Sequence, residues 1–142
     1  MTQIFFYHNA ADRIAVLASL IGKVYRQRKY AMVYAPDADL ASMLDRHLWM
    51  HPPTGFVPHV RYPSPLAEET PIVITDDPTS MGHNERLFNL SAQVPPGFSR
   101  FTSVIEVVGR QENERQSARE RVKFYRDRGY AIQYFDLAEQ AG

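Results

Sequence analysis

The chain has 142 residues, no cysteine, and 16 Lys+Arg against 16 Asp+Glu. That length can bury a core in a single domain without metal or disulfide support, and the missing thiols exclude disulfides and thiolate metal sites. The balanced charge argues against a domain built for tight, direct nucleic-acid binding, which carries a basic excess to neutralise phosphates.

Residues 1–9 lack the basic segment and long apolar core of a leader, and no apolar run nears the ~20 residues of a membrane helix. The expectation is a soluble, cytoplasmic protein without membrane contact. Gln3–His8 (QIFFYH) reads as a buried first strand. Asp12 can cap the helix that follows, whose apolar positions Ile14, Leu17, Ala18, Ile21 and Val24–Tyr25 recur at helical spacing. Arg26, Arg28 and Lys29 crowd its last turn, where they suit the helix dipole. Tyr30–Ala35 is a second strand. Asp37 or Asp39 starts a second helix that carries Leu40, Met43, Leu44 and Leu48 to Trp49 and ends at Pro52–Pro53. Thr54–Leu66, with three prolines and no clear period, reads as an ordered crossover loop.

Pro71–Thr75 and Arg86–Leu90 are the third and fourth strands, with the turn-rich Asp76–Asn84 between them. Arg100–Thr102 reads as a short helical turn, and Ser103–Val108 as a fifth strand. Arg115–Gly129 is a helix, Tyr130–Asp136 a sixth strand, and Ala138–Gly142 a loose end. Alternating strands and helices require right-handed crossovers. The expected fold is therefore α/β: one three-layer, Rossmann-like domain over residues 1–142, with a mostly parallel sheet and helices on both faces.

Chemistry finds little purchase in this order. The turn after the first strand, His8 to Asp12, has no glycine, and neither GxGxxG nor GxxxxGKS/T occurs, so a dinucleotide or phosphate cradle is not expected. Asp76 and Asp77 follow the third strand at the carboxyl edge. They can hold magnesium for a hydrolase or phosphotransferase, or simply build a turn by bonding their own backbone. His47 and His51 stand four apart, without a third ligand or an intervening glutamate. His8, His59 and His83 are scattered and read as structural or exposed. No GxSxG elbow is present.

Two features suit protein contacts instead. On a helix at 100° per residue, Ala118, Val122 and Tyr125 form a narrow apolar stripe, with Arg115, Arg119, Lys123 and Arg126 along its flank. An acidic peptide with an apolar anchor suits such an edge. Trp49, Pro52, Phe56 and Pro58 form an aromatic, proline-bounded knob that is either an interface anchor or core beneath the crossover loop.

Four blocks give the chain a family resemblance: FYH near the start, LDRHLWMHPPTGFVPH at Leu44–His59, PIVIT followed by LFNLS, and ARERVKFYRDRGY at Ala118–Tyr130. Their order resembles the chi subunit of bacterial DNA polymerase III, an accessory part of its clamp loader. The resemblance implies a Rossmann-like fold with no cofactor and no catalysis. It implies an adaptor bridging the psi subunit and the acidic, phenylalanine-ending tail of single-stranded DNA-binding protein, so that DNA is contacted mainly indirectly. The tail site falls on Arg115, Arg119 and Lys123, with Arg126 alongside and Val122 where relatives commonly have an aromatic. The psi surface, shared in relatives with an accessory helicase, falls on Trp49 and Phe56, with Pro52 beside them.

Overall fold

The computed structural model describes residues 1–50, 58–64, 66, 70–80 and 84–140. Seven strands form one sheet: β1 (Gln3–Ala10), β2 (Ala31–Tyr34), β3 (His59–Arg61), β4 (Ile72–Thr75), β5 (Arg86–Asn89), β6 (Ser103–Gly109) and β7 (Ile132–Asp136). Their spatial order is β3-β4-β2-β5-β6-β1-β7, and every described pairing is parallel. The helices are α1 (Arg13–Arg26), α2 (Ala38–Met50), α3 (Glu112–Asp127) and the short α4 (Leu137–Gln140), with a 3-10 turn at Phe98–Arg100.

Helices cover both faces. Leu17 and Ile21 of α1 and Leu44 and Leu48 of α2 pack on Val33, Ile74, Phe88 and Val107. On the opposite face Ala118 and Tyr125 of α3, joined by Phe98, pack on Ile4, Phe6, Met32 and Val104. Each such buried Val, Leu, Ile, Phe or Met side chain contributes ~1.5–3 kcal/mol relative to exposure. The result is the expected three-layer, Rossmann-like arrangement.

Local chemistry sets the element ends. Asp12 caps α1, its carboxylate accepting from Ala15 N at 3.1 Å. Of the two candidates for α2, Asp37 is the cap: its Oδ1 accepts from Asp39 N at 2.8 Å and Leu40 N at 3.2 Å. α3 stops because Gly129 takes a φ of 81°, a left-handed conformation open to glycine at little cost. The amide of Tyr130 can then donate to Tyr125 O at 3.1 Å.

Three expectations are corrected. The sheet has seven strands rather than six, because His59–Arg61, inside the stretch read as crossover loop, pairs with β4. Three residues are too few to show a period, and the strand exists because β4 offers its open edge. The helical turn expected at Arg100–Thr102 lies at Phe98–Arg100, following Gly97 with a φ of 69°. The chain end is not loose from Ala138: Asp136 Oδ1 accepts from Ala138 N at 2.9 Å, starting α4, and Leu137 packs against the α1–α2 side of the core.

One irregularity shapes the site. Along β1, Ile4 and Phe6 face α3, while Phe5 and Tyr7 face α1 and α2. The register against β6 slips between Tyr7 and Ala10, and Ala10 returns to the α1–α2 core. Asn9 is the extra residue, with a φ of 61°. Its side chain donates to Asp136 Oδ1 at 2.8 Å.

Candidate functional site

At 100° per residue, Arg115, Arg119, Val122 and Arg126 of α3 fall within a sector of about 60°. They form one wall of a groove of about 430 Å³. Phe6 and His8 of β1, Val108 of β6 and Tyr134 of β7 form the rest, with Ala118 on the floor. The period of two along β1 brings both Phe6 and His8 to this side. Tyr134, 55% exposed, stands 6.3 Å from Phe6 between ring centroids. The groove is therefore apolar at its base and cationic along its rim.

The rim cations keep their binding capacity. Arg119 Nη2 meets Glu112 Oε1 at 2.6 Å and Gln116 Oε1 at 3.3 Å, an exposed pairing that water and salt compete with. The side chains of Arg115 and Arg126 are exposed and make no hydrogen bond or ion pair among the described residues. Lys123 is also exposed, but one residue beyond Val122 turns it about 100° away from the groove wall.

The other flank of α3 is built differently. Arg121 is 4% exposed and Glu106 of β6 fully buried, with Arg121 Nε to Glu106 Oε1 at 3.1 Å. Tyr125 OH donates to Glu106 Oε2 at 2.9 Å, and Asn89 Nδ2 lies 3.0 Å from both carboxylate oxygens. Burial, and then the Glu106 charge, push the Tyr125 phenol far above its ordinary range. Ser117 Oγ accepts from Arg121 and donates to Ala92 O at 2.8 Å. Above this network lies a crevice of about 520 Å³ at the carboxyl edge, where open α/β sheets commonly bind ligands. Here the Glu114 carboxylate fills the space that a Cβ on Gly109 would take. Arg13 is spent on the carbonyls of Val107 and Ser91, at 2.9 and 3.1 Å.

The remaining candidates lie apart from this helix. Trp49 is 59% exposed, with its ring edge-on to His59 at 5.7 Å. Pro52 and Phe56, its companions in the knob, lie outside the described residues, as do His51 and His83. His59 is buried and meets Asp45 at 2.6 Å. Asp77 builds the turn after β4: its Oδ1 accepts from Thr79 N at 2.9 Å and Thr79 Oγ1 at 2.6 Å, which holds its carboxyl below the usual range. Among the described residues no three His, Asp or Glu side chains cluster closely enough to hold a metal ion, and no helix is long and apolar enough to cross a membrane.

Sequence reasoning missed His8, Tyr134 and the Glu106 network. Glu106 had a signal: a carboxylate inside the apolar run SVIEVV must find a buried partner. His8 had only its two-residue spacing from Phe6.

The sequence model of the DNA polymerase III chi subunit family (HolC) matches residues 1–133. The chain belongs to that family. A chi subunit of Pseudomonas aeruginosa is 31% identical over 140 residues, covering 94% of this chain and 95% of that protein. The chi subunits of Haemophilus influenzae and Escherichia coli are each 27% identical, over 82% and 85% of this chain and 82% and 86% of their own lengths. Chi is a subunit of DNA polymerase III, so the chain has its place in DNA replication.

Proposed function

We propose that the chain is a non-catalytic adaptor of the polymerase III clamp loader, which holds the acidic, phenylalanine-ending tail of single-stranded DNA-binding protein in the α3 groove. The observation that carries this reading is the groove itself, where three arginines border a base of Phe6, Val108 and Ala118, with Val122 in the wall beside them. Guanidinium forks take carboxylates bidentately, and the base accepts a ring. Lys123 adds to the field from outside the groove. The exposed Trp49 marks the place proposed for psi or an accessory helicase, to which the resemblance adds Pro52 and Phe56, outside the described residues; DNA is reached through these partners.

The test is calorimetry with a synthetic peptide of several aspartates and a terminal phenylalanine. Arg119→Ala with Arg126→Ala should abolish most of the binding, and amidating the peptide's terminus should weaken it. Unchanged affinity in the double variant would overturn the site. The competing phosphotransferase reading predicts a thermal shift with nucleotide and magnesium. With the Asp77 carboxylate committed to its turn, none is expected.

A further inference from the structure

We propose that His8 is a further binding residue of the α3 groove, a proton-dependent anion contact that makes the groove hold an acidic peptide more tightly as pH falls. The proposal rests on the tail-binding reading given above. His8 is half-buried on the floor side of the groove and faces the rim on which Arg115, Arg119 and Arg126 stand. The fold supports that placement. The alternation that turns Ile4 and Phe6 toward α3 does the same for His8, and the bulge at Asn9 then ends the alternation. Asn9 is clamped from both sides, by its own donation to Asp136 Oδ1 and by Arg110 Nε donating to Asn9 O at 3.3 Å. A clamped bulge re-aims the residue beside it, and bulges are over-represented where strands serve a site.

The charged and titratable groups around His8 are few enough to name. From α3 come Arg115, Arg119 and Arg126, with Glu112 reaching the rim through its pairing with Arg119, and from the turn before α3 comes Arg110, whose Nε donates to Asn9 O. From β7 come Tyr134 and Asp136. Asp136 is the register partner of His8, and its Oδ1 accepts from Asn9 Nδ2 and Ala138 N. From β6 comes Glu106, held within its own network by Arg121, Tyr125 and Asn89. Glu106 and Asp136 are thus engaged by other donors. An incoming carboxylate is a new partner for the imidazolium and stabilises its protonated form. Binding and proton uptake are then linked. Histidine is the side-chain type that changes charge across the neutral range, so that is the range in which the linkage is sought. Aspartates in the peptide stay ionised across that window, since their protonation begins near pH 4.

The experiment is peptide affinity against pH, from 8 down to 6, for the wild-type chain, His8→Gln and His8→Lys, using the same synthetic acidic peptide with terminal phenylalanine. Wild-type affinity should rise about fivefold over that range. His8→Gln should stay at the weak, pH 8 level throughout. His8→Lys should bind at pH 8 about as tightly as wild type does at pH 6, with a flat profile. The His8 ring resonances of the wild-type chain, followed by NMR, should titrate at higher pH once the peptide is present. A flat wild-type profile, a slope surviving in His8→Gln, or a ring titration that ignores the peptide overturns the role of His8 while leaving the tail reading standing. No peptide binding at any pH overturns both.

Discussion

Helix α3 carries arginines on two flanks, and the two sets live under opposite conditions. Arg121 is buried against Glu106 and braced by Ser117, while Arg115, Arg119 and Arg126 line an open groove and remain exposed. A desolvated charge with a complete set of partners has nothing left to offer a ligand, and its loss leaves the opposite charge stranded. An exposed guanidinium contributes little to the fold, because water competes for it, but it can exchange that water for a carboxylate. The same residue type on the same helix thus serves stability on one side and recognition on the other, and burial decides which.

The largest effect should come from breaking the buried flank. Arg121→Ala strips the buried Glu106 carboxyl of its cationic partner and should cost about 3–5 kcal/mol of stability, measured by urea denaturation. If the variant loses less than about 1 kcal/mol, the two flanks do not differ as described. Next in size is the groove. The double replacement of Arg119 and Arg126 by alanine should weaken peptide binding by about thirtyfold, roughly 2 kcal/mol. Stability should change by less than about 0.5 kcal/mol. A variant that unfolds early would mean that the rim is structural after all.

Tyr125→Phe probes the buried flank more gently. It removes one donor to Glu106 and should cost about 1–2 kcal/mol at neutral pH. The pH dependence carries a sign. The folded phenol has a raised pKa, so its stabilising contribution is complete below the unfolded value near 10 and is lost as pH climbs above it. Wild-type stability should therefore fall above about pH 10 with a slope of up to about 1.4 kcal/mol per pH unit from this one group. Tyr125→Phe should flatten that slope. An equally steep alkaline limb in the variant would place its origin elsewhere.

This contrast was only half legible in the chain itself. Helical periodicity gave Ala118, Val122 and Tyr125 as the inward stripe and put Arg115, Arg119, Lys123 and Arg126 beside it, because the geometry of a single helix is local; of these four, Lys123 does not line the groove. The opposite wall was not legible. Phe6, His8, Val108 and Tyr134 come from three other strands, and only the order β6-β1-β7 brings them under α3. Arg121 could not be separated from its neighbours for the same reason: its partner is 15 residues away on β6. The fold itself was readable wherever apolar residues were grouped between turn signals or helices were amphipathic. It was not readable at β3, where three residues owe their conformation to the edge they meet.

The smallest effects divide the groove from its surroundings. Val122 is half-buried in the groove wall, and Lys123 follows it in sequence but points to solvent. Val122→Ala removes about two methyl groups of apolar contact and should weaken peptide binding by about threefold. Lys123→Ala removes only a long-range charge and should weaken it by about twofold at low salt. Ionic strength then separates the two. Near 1 M salt the screening length shrinks to about 3 Å, so the loss from Lys123→Ala should vanish while the loss from Val122→Ala persists. Equal persistence of both would place Lys123 in direct contact with the bound peptide and extend the groove around the helix. Disappearance of both would mean that the apolar base makes no contact with the anchor, leaving a purely electrostatic rim.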